Sequence, residues 1–343
     1  MKCIASVPFG VSFTHSVAER VLKICPSPVE LAQMYIFVPA PRQVLALQAA
    51  FKTHGIAPKI LPLSATPDLE NMLIAKGFLI QDTRRLVTGL ERQMVLARLI
   101  GGRDKALSFT MVWSMAEQLA KIYDELTFYG LGVQDLSHHI PPMFAEHWQQ
   151  NYAFLELVLE AYPNWLKEQN AQDESYRNQN ILRALAKFCK QHTAPVWGVG
   201  FSDTTPAGIE VLQAITQNEQ GQLVLQGLDK NAFIAGNIPL ESSPQYPLVQ
   251  MLTHLNITTD YKIDVWDAEQ IIETEFTLLE APHMMAEAES IAAYVRQKLT
   301  HEKTTCAVVT PDRALAKFIK NACQNYNILL DDSAGVPYSN TLA

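Results

Sequence analysis

The sequence predicts an α/β protein with a parallel sheet, because apolar runs alternate with helical patterns at both ends of the chain. Near its start, the runs Ile4–Val7 and Met34–Val38 flank a stretch with helical spacing over Ser12–Lys23. Near its end, Cys306–Val309 and Ile328–Leu330 flank another such stretch. Short continuous apolar runs are typical of strands buried on both faces, and strands joined through a helix pair in parallel. We therefore expect a doubly wound sheet.

After the second strand, the first unit continues with a helix over Arg42–Thr53 and an extended segment over Ile56–Leu63. Pro58 and Pro62 lie within that segment. Because a proline cannot donate a hydrogen bond to a neighbouring strand, the segment is predicted to lie at the edge of the sheet.

Between Thr88 and about Lys190 the strand signals give way to amphipathic helical patterns. The helices are expected over Leu90–Ile100, Val112–Leu126 and Phe144–Leu166. A proline-rich break at His139–Pro142 and the polar stretch Glu168–Asn180 are expected to separate these elements. We interpret the whole region as a helical insertion packed beside the sheet.

Strand patterns return at Val196–Phe201 and Leu223–Leu225, on either side of a helix predicted over Ala207–Thr216. The residues Asp203–Pro206 form a start signal for this helix, since they offer a polar N-cap and a proline for the first turn.

A final block opens at Phe276–Glu280 and continues with a helix over Ala286–Lys298. It ends in the strand, helix and strand pattern described above. In the helix between the last two predicted strands, the apolar residues recur at Leu315, Phe318, Ile319 and Ala322. The turn Thr310–Arg313 and the cluster Asp331–Gly335 follow the two predicted strands, which is where ligands usually bind in α/β sheets.

Length and composition bound the class of protein. At 343 residues the chain exceeds one typical domain, and its hydrophobic fraction of 48% is ordinary for a packed globular protein. It has no apolar stretch of the about 20 residues that a membrane helix needs, and Met1-Lys2 leads directly into the first strand. We therefore expect a soluble, cytoplasmic protein with no membrane partner.

The net charge of −8 weighs against free-standing DNA binding, although a local basic groove or a partner could supply the cations.

Five cysteines are scattered along the chain without a CxxC pair: Cys3, Cys25, Cys189, Cys306 and Cys323. An odd number on predicted strands and helices indicates buried free thiols rather than metal or cluster ligands. No metal site and no cofactor is therefore predicted in this chain.

The turn Pro8–Thr14 lies where a nucleotide-hydrolysing α/β protein carries its glycine-rich phosphate loop. It contains one glycine, Gly10, and no lysine follows before Lys23. Without freed backbone amides and a cation for the phosphates, ATP turnover is not expected. Ser12 or Thr14 is interpreted as a helix cap.

A helicase would also need an acidic pair at the end of a central strand to hold magnesium. Only Ser202 and Asp203 follow the strand that ends at Phe201, and Asp203 is interpreted as a helix cap. Asp331-Asp332 is interpreted as part of a turn, with a carboxylate pair for metal or acid–base chemistry as the alternative. No catalytic residue is predicted.

Clustered histidines and two kinds of nucleic-acid contact complete the candidates. His138-His139 and His147 fit no common zinc spacing and are expected to be exposed in a loop. Thr310 and Arg313 lie where a hydroxyl and a guanidinium could meet a phosphate. Trp113 could stack on a base, although its helical spacing favours a core position.

Several segments, taken in order and at their spacing, resemble one known family. They are IASVPFGVSFTHSVAERVL, PKILPLSATPD, LERQMVLARLI, WSMAEQLAKIYDEL, GVGFSDTTPAGIEVLQAI, EAESIAAYVRQKL, VVTPDR and DDSAG. The family is AddB, the second subunit of the bacterial AddAB helicase–nucleases that process DNA double-strand breaks, in its alphaproteobacterial type.

The resemblance implies a superfamily 1 helicase-like fold. Residues 1–87 and 191–270 would form a first RecA-like domain with a degenerate, P-loop-derived nucleotide site, 88–190 its helical inserted subdomain, and 271–343 the beginning of a second RecA-like domain. Family members are longer and end in a nuclease domain with an iron–sulfur cluster, which this sequence does not include. The chain would be a non-catalytic segment that handles or scans DNA beside an active AddA-type motor subunit.

Two further classes of protein stay open. An α/β enzyme or binding protein could carry a small-molecule or nucleotide site at the carboxyl edge of the sheet, near Gly10 or Thr310. A structural protein could instead dock a partner through the helical insertion. Whether the chain is itself an enzyme is left open, although no ATPase or nuclease site is expected in it.

Overall fold

The structure, a computed structural model, describes residues 4–52, 54–131, 155, 157–229, 239–257, 263–267, 276–301, 304–333 and 335. The chain divides into two compact units, Met1–Ile272 and Glu273–Ala343.

The first unit is built around a parallel sheet. Its strands, with one separate short pair, are β1 (Ile4–Val7), β2 (Tyr35–Val38), β3 (Lys59–Pro62), β4 (Arg85–Leu86), β5 (Ala171–Gln172), β6 (Val196–Val199), β7 (Gly221–Gln226) and β8 (Asp264–Val265). Six of them form one sheet in the order β3-β2-β6-β7-β1-β8, with every neighbouring pair parallel. The predicted α/β class with a parallel sheet is confirmed, and β3 lies at the edge as its prolines indicate.

Helices cover both faces of this sheet. In unit 1 they are α1 (Phe13–Ile24), α2 (Pro28–Gln33), α3 (Pro41–Lys52), α4 (Pro67–Ala75), α5 (Gly89–Arg103), α6 (Phe109–Tyr129), α7 (Tyr162–Glu168), α8 (Glu174–Gln191), α9 (Pro206–Gln217) and α10 (Tyr246–His254). The core on one face joins α1 and α3 to strand residues such as Val7 and Val38. The core on the other face joins α4, α8, α9 and α10 to the intervening residues, among them Phe37 and Leu225. This alternation follows from the period of two along a strand.

A third core belongs to the helical part of unit 1. Helices α5 and α6, a single π-helical turn at Leu157–Ala161, and α7 bury apolar side chains there, together with Ala171 of β5 and Val87, which follows β4. Part of the helix predicted over Phe144–Leu166, the break at His139–Pro142 and the three clustered histidines lie outside the described residues. The domain boundaries proposed from the sequence remain predictions.

The prediction that Glu168–Asn180 is a polar break is wrong. The stretch contains β5 and the first turns of α8, which begins at Glu174. Its polar side chains gave no apolar periodicity because several of them are buried in hydrogen bonds rather than in a hydrophobic face. Asp173, for example, accepts the backbone N–H of Ser175 as the N-cap of α8.

The second unit contains two described helices, α11 (Met284–Lys298) and α12 (Arg313–Gln324), which pack on each other. Leu315, Ile319 and Ala322 are buried as predicted, whereas Phe318 is partly exposed. No strand occurs among the described residues of this unit.

The βαβ unit predicted at the end of the chain is therefore wrong in its strands, although its helix is confirmed. Cys306–Val309 and Ile328–Leu330 form no ladder in the described structure, and neither does Phe276–Glu280. Val309 is 93% exposed and Leu329 is 91% exposed. An apolar run predicts a strand only where another strand supplies hydrogen-bond partners, and the described residues of unit 2 supply none.

Of the cysteines that the structure describes, Cys25, Cys189 and Cys323 are buried free thiols, as predicted. Cys306 is a free thiol but exposed, which corrects the prediction for that residue, and Cys3 lies outside the described residues. Burial raises the pKa of the Cys189 thiol, so the unreactive protonated form is favoured there.

Candidate functional site at the carboxyl edge of the sheet

The carboxyl ends of the strands meet at one edge of the sheet, and neighbouring strands there send the chain to opposite faces. β1 leads into α1 on one face, whereas its neighbour β7 leads toward α10 on the other. β2 and β6 diverge in the same way, toward α3 and α9. Ligands of open α/β sheets bind in the crevices at such points of divergence. We therefore take these two crevices as the candidate site.

The turn between β1 and α1 takes the position of a phosphate loop without its chemistry. Gly10 adopts a positive φ of 88°, which a tight turn requires and which glycine adopts without strain. Ser12 stands at the N-cap of α1, but its hydroxyl makes no capping hydrogen bond within the described residues. The prediction of a capping serine is thus correct in position only. No ammonium group follows the turn until Lys23, in the last turn of α1.

Phe9 covers the crevice between β1 and β7. Its ring lies directly against Gly227, which follows β7, so that a Cβ atom on Gly227 would fall 2.0 Å from Phe9 Cε2. Gly227 also has a φ of +69° and its N–H donates to the carbonyl oxygen of Val7 at 2.8 Å. The other side of the ring faces outward, since Phe9 is 62% exposed. An apolar ring thus occupies the place where a phosphate would need backbone amides.

The chain after β7 is held in this arrangement by one side chain. Gln245 donates from Nε2 to the carbonyl oxygen of Gly227 at 2.8 Å and accepts the N–H of Asp229 at 2.9 Å. Because both amide groups of Gln245 are used, the backbone that contacts Phe9 has a fixed course. The Phe9 ring, which follows β1, therefore packs across the crevice, and the hydrogen bonds of Gln245 hold the chain that follows β7 on its other side.

The crevice between β2 and β6 is covered in a similar way by Phe13, the first residue of α1. A Cβ atom on Gly200, which follows β6 with a φ of +75°, would lie 3.3 Å from Phe13 Cε1 and 3.6 Å from Gln43 Nε2. Gln43 is itself held, since its Oε1 accepts the N–H of Ala40 at 3.0 Å. Both crevices at the carboxyl edge therefore contain a phenylalanine ring beside a glycine.

The position for a magnesium-binding acid offers one exposed carboxylate. Asp203 lies beyond the end of β6 and accepts the N–H of Thr204 at 2.7 Å. The cap of α9 is Thr205, whose hydroxyl accepts the N–H of Gly208, so the interpretation of Asp203 as the cap is corrected by two residues. Across the residues that the structure describes, no group of three or more histidine, cysteine, aspartate or glutamate side chains is placed to hold a metal ion.

The predicted phosphate contacts of unit 2 are engaged within the chain. The Thr310 hydroxyl accepts the N–H of Asp312 at 3.1 Å, and Asp312 caps α12. The guanidinium of Arg313 donates to both carboxylate oxygens of Asp332, at 3.2 Å each. The structure thus brings Thr310, Arg313 and the Asp331-Asp332 turn together. Arg313 forms an ion pair with Asp332, and Thr310 contacts the residue that caps α12. The Arg313 side chain remains 58% exposed.

Trp113, the third predicted contact, lies on α6 and is partly buried. Its ring stacks on Phe109 with a centroid separation of 5.9 Å and an interplanar angle of 24°. Its carbonyl oxygen accepts from Gln93 Nε2 at 3.3 Å. Phe109 is exposed. The two rings form an aromatic pair at the surface of the helical part, so Trp113 is neither fully in the core nor a free stacking platform.

A buried charged cluster that the sequence did not reveal joins the helices of the same region. Arg92 donates to Asp124 at 2.7 and 2.9 Å and to Asp173 at 3.2 Å. The Tyr162 hydroxyl donates to Asp173 at 2.6 Å, and the Ser175 hydroxyl lies within hydrogen-bonding distance of both carboxylates. Burial and the hydrogen bond to Asp173 raise the pKa of Tyr162, which therefore stays protonated. The cluster links α5, α6, α7 and α8, and we interpret it as structural.

Comparisons with known proteins add no assignment. Neither the known protein-family models nor the curated proteins give a match to this chain. In the part of the chain that the structure describes, none of the helices combines the length and the apolarity that crossing a membrane requires.

Proposed function

We propose that this chain is a non-catalytic, helicase-like segment of an AddB-type subunit in a helicase–nuclease for double-strand break repair. In this proposal unit 1 is a RecA-like domain with a degenerate nucleotide site, and the segment handles or scans DNA beside an AddA-type motor subunit in the cytoplasm. The parallel sheet with helices on both faces supports the RecA-like reading of unit 1. The sequence segments that resemble AddB, in the same order along the chain, support the assignment to an AddB-type subunit and its partner.

The observation that carries the proposal is the contact of Phe9 with Gly227. A P-loop protein turns from its first strand into its first helix around the nucleotide phosphates. Here the same turn places an apolar ring against the neighbouring strand exit and has no lysine. Binding a triphosphate in this crevice would require the ring to leave and would still lack a cation for the β- and γ-phosphates. A helicase-like sheet without ATP turnover accounts for both features.

DNA contact within such a complex would be shared with the partner subunit. The net charge of −8 weighs against phosphate binding, and Arg313 already has Asp332 as an anionic partner. A phosphate at Arg313 would share the guanidinium with that carboxylate, whose negative charge repels the phosphate. We therefore expect the isolated chain to bind tailed DNA more weakly than a complex of the chain with an AddA-type subunit.

The proposal is tested by measuring ATP hydrolysis and DNA binding with the chain alone and after co-purification with an AddA-type subunit. We expect no turnover by the chain, with or without single-stranded DNA, and salt-dependent binding of tailed DNA by the complex. Robust turnover that disappears in Ser12→Ala or Thr14→Ala would contradict the degenerate site. A failure to co-purify would contradict the assignment of the partner.

The same crevice also tests the alternative, an α/β protein with a small-molecule site at this edge. A thermal-shift screen with nucleotides and nucleotide-sugars on the wild-type chain and on Phe9→Ala separates the two readings. If the Phe9 ring closes the crevice, the nucleotides and nucleotide-sugars do not raise the unfolding temperature of the wild type by binding at this edge. A large shift in the wild type that is lost in Ser12→Ala would favour the small-molecule protein.

A further inference from the structure

A small cleft lies at the opposite edge of the sheet, where β2 and β3 begin and where α4 and α8 end. It has a volume of about 240 Å³. Its lining consists of Lys76, Phe78, Phe188, Gln191, His192 and Thr193. This amino-edge cleft is separate from the crevices at the carboxyl edge, and the sequence did not single it out.

The cleft has an aromatic wall. The rings of Phe78 and Phe188 are perpendicular at a centroid distance of 5.4 Å, and Phe188 lies 4.8 Å from the ring of His192. Tyr35, the first residue of β2, contacts Phe188 and His192 edge-on at 5.1 Å each. Phe188 and Tyr35 are buried in the core beneath the cleft. The wall is therefore held by the sheet, and Phe78, which unlike Phe188 and Tyr35 is partly exposed, is the ring against which a planar group could pack.

Two ammonium groups stand over this wall. Lys76 Nζ lies 5.7 Å from the ring centroid of Phe188, and Lys59 Nζ lies 5.0 Å from that of Tyr35, whose hydroxyl it approaches at 3.4 Å. Among the described residues, no carboxylate lies within 4.0 Å of either ammonium group. Both cations are thus held by aromatic faces rather than by ion pairs, which leaves them able to bind an anion.

His192 is close enough to both lysines for their charges to act on its ring. One ring nitrogen, Nε2, is 3.0 Å from the carbonyl oxygen of Gln33, so Nε2 carries a proton and donates to it. Burial lowers the pKa of His192, and the charges of Lys76 and Lys59 lower it further, against the opposing effect of the Gln33 hydrogen bond. The neutral imidazole is therefore favoured. An anion beside the lysines would offset their charge and raise this pKa.

From this geometry we propose that the amino-edge cleft binds a planar aromatic ring that carries a phosphate. The ring lies against Phe78 and the phosphate at Lys76, both in the lining of the cleft, with Lys59 as a second cation beside the cleft at Tyr35. The volume lies below the about 300 Å³ at which sites for drug-sized ligands begin, so it suits one ring and one compact anion. This chemistry belongs to a free nucleoside monophosphate and equally to the 5′-phosphorylated end of a nucleic-acid strand. The proposal does not depend on the function proposed above.

The test is a titration of the full chain with adenosine 5′-monophosphate, a 5′-phosphorylated single-stranded oligonucleotide, adenosine and inorganic phosphate. Binding is followed by calorimetry and by the NMR titration of the His192 ring. We expect the two phosphorylated nucleotide probes to bind, to raise the pKa of His192, and to bind more tightly than adenosine or phosphate. Lys59→Gln and Lys76→Gln should each weaken binding about tenfold, as expected for the loss of a charged hydrogen bond.

Controls separate the amino edge from the rest of the chain. Lys23→Gln, on α1, removes the same charge elsewhere and should leave affinity unchanged. Phe78→Leu keeps the apolar character but removes the ring, and it should weaken the nucleotide probes without affecting phosphate. The urea midpoint of each variant shows whether it is folded.

The outcomes decide both the site and its ligand. Tighter binding of the oligonucleotide than of the monophosphate would assign the cleft to a strand end, and the reverse would assign it to a free nucleotide. The proposal is overturned if no probe binds at millimolar concentration, if phosphate binds as well as the monophosphate, or if the lysine variants bind as the wild type does. ATP turnover and partner binding, which test the proposed function, are measured in separate experiments. A failure of the cleft proposal therefore does not count against the proposed function, and a failure of the proposed function does not count against the cleft.

Discussion

Two single residues, Phe9 and Phe13, occupy the crevices at the carboxyl edge of the sheet. Each ring lies beside a glycine of positive φ that follows another strand of the sheet, Gly227 after β7 for Phe9 and Gly200 after β6 for Phe13. An L-residue is strained at the φ of either glycine, and a Cβ on Gly227 would overlap the Phe9 ring. A Cβ on Gly200 would make only a tight contact with Phe13, at 3.3 Å. Two aromatic–glycine contacts therefore take the place of a ligand's contacts.

The contact of Phe9 with Gly227 predicts an unusually costly alanine substitution. Gly227→Ala should lower the free energy of unfolding by about 2–4 kcal/mol, since about 1 kcal/mol of backbone strain adds to displacement of the Phe9 ring. In a Phe9→Ala background only the backbone part should remain. Urea unfolding of the two single variants and the double variant measures the difference.

A matched control is Gly77→Ala. Gly77 has a φ of +77°, and among the described atoms none lies within 4 Å of the position of its added Cβ. This variant should lose only the backbone part, about 1 kcal/mol. Equal losses for Gly227→Ala and Gly77→Ala would show that the Phe9 ring does not press on Gly227.

The buried cluster around Asp173 makes a second prediction at this scale. Asp173→Ala leaves Arg92 and Tyr162 without one of their partners and should lower the free energy of unfolding by about 3–5 kcal/mol. The exposed pair Lys121–Glu117 serves as the comparison, since Glu117→Ala should leave the free energy of unfolding almost unchanged. Similar losses for the two variants in urea unfolding would mean that the cluster is not the support we infer.

At the scale of elements, the sequence predicted most of unit 1 and failed where a contact is non-local. The runs at Ile4–Val7 and Met34–Val38 became strands because neighbouring strands pair with them on both sides. The run at Cys306–Val309 has the same composition but no ladder partner among the described residues. The two-residue strand β8 was missed because Asp264–Val265 is too short for a pattern.

The candidate site divides in the same way. The missing lysine and the single glycine after β1 are visible in the sequence, and they predicted a turn without phosphate chemistry. The closure of the crevice was not predictable, because Phe9 and Gly227 meet only through the pairing of β1 with β7. The same holds for Arg313 and Asp332, whose ion pair follows from the packing of α12 and not from their spacing.

The start of α12 gives a prediction about one element. Asp312 accepts the N–H groups of Ala314 and Leu315, so Asp312→Ala should destabilise the first turn by about 1 kcal/mol. Hydrogen exchange at those two amides should accelerate correspondingly. Asp312→Asn keeps an acceptor at the cap and should exchange much like the wild type. Unchanged exchange in Asp312→Ala would show that the cap does not hold the turn.

At the scale of the whole molecule, the chain has separate hydrophobic cores in its two units. Leu212 belongs to a core of unit 1 and Ile319 to the core of unit 2. The second core is small, and the extended segments beside its helices expose large apolar side chains, with Phe276 92% exposed. Unit 2 therefore has less buried apolar surface than unit 1 with which to offset the entropy of folding.

Calorimetry should accordingly resolve two unfolding transitions. Leu212→Ala should lower the transition of unit 1 and Ile319→Ala that of unit 2, each through a loss of about 2–5 kcal/mol from its own core. The transition that Ile319→Ala lowers should be the one at lower temperature in the wild type. A single transition that both substitutions shift equally would mean that the two cores unfold together.

The aromatic closure of the carboxyl edge has a consequence for how the fold responds to its surroundings. A sheet whose edge crevice is filled by a dissolved ligand becomes more stable as the ligand concentration rises, by RT ln(1 + [L]/Kd). Phe9 belongs to the chain, so its effective concentration at the crevice is constant. The contribution of this contact to the stability of the edge therefore does not vary with the concentration of a ligand.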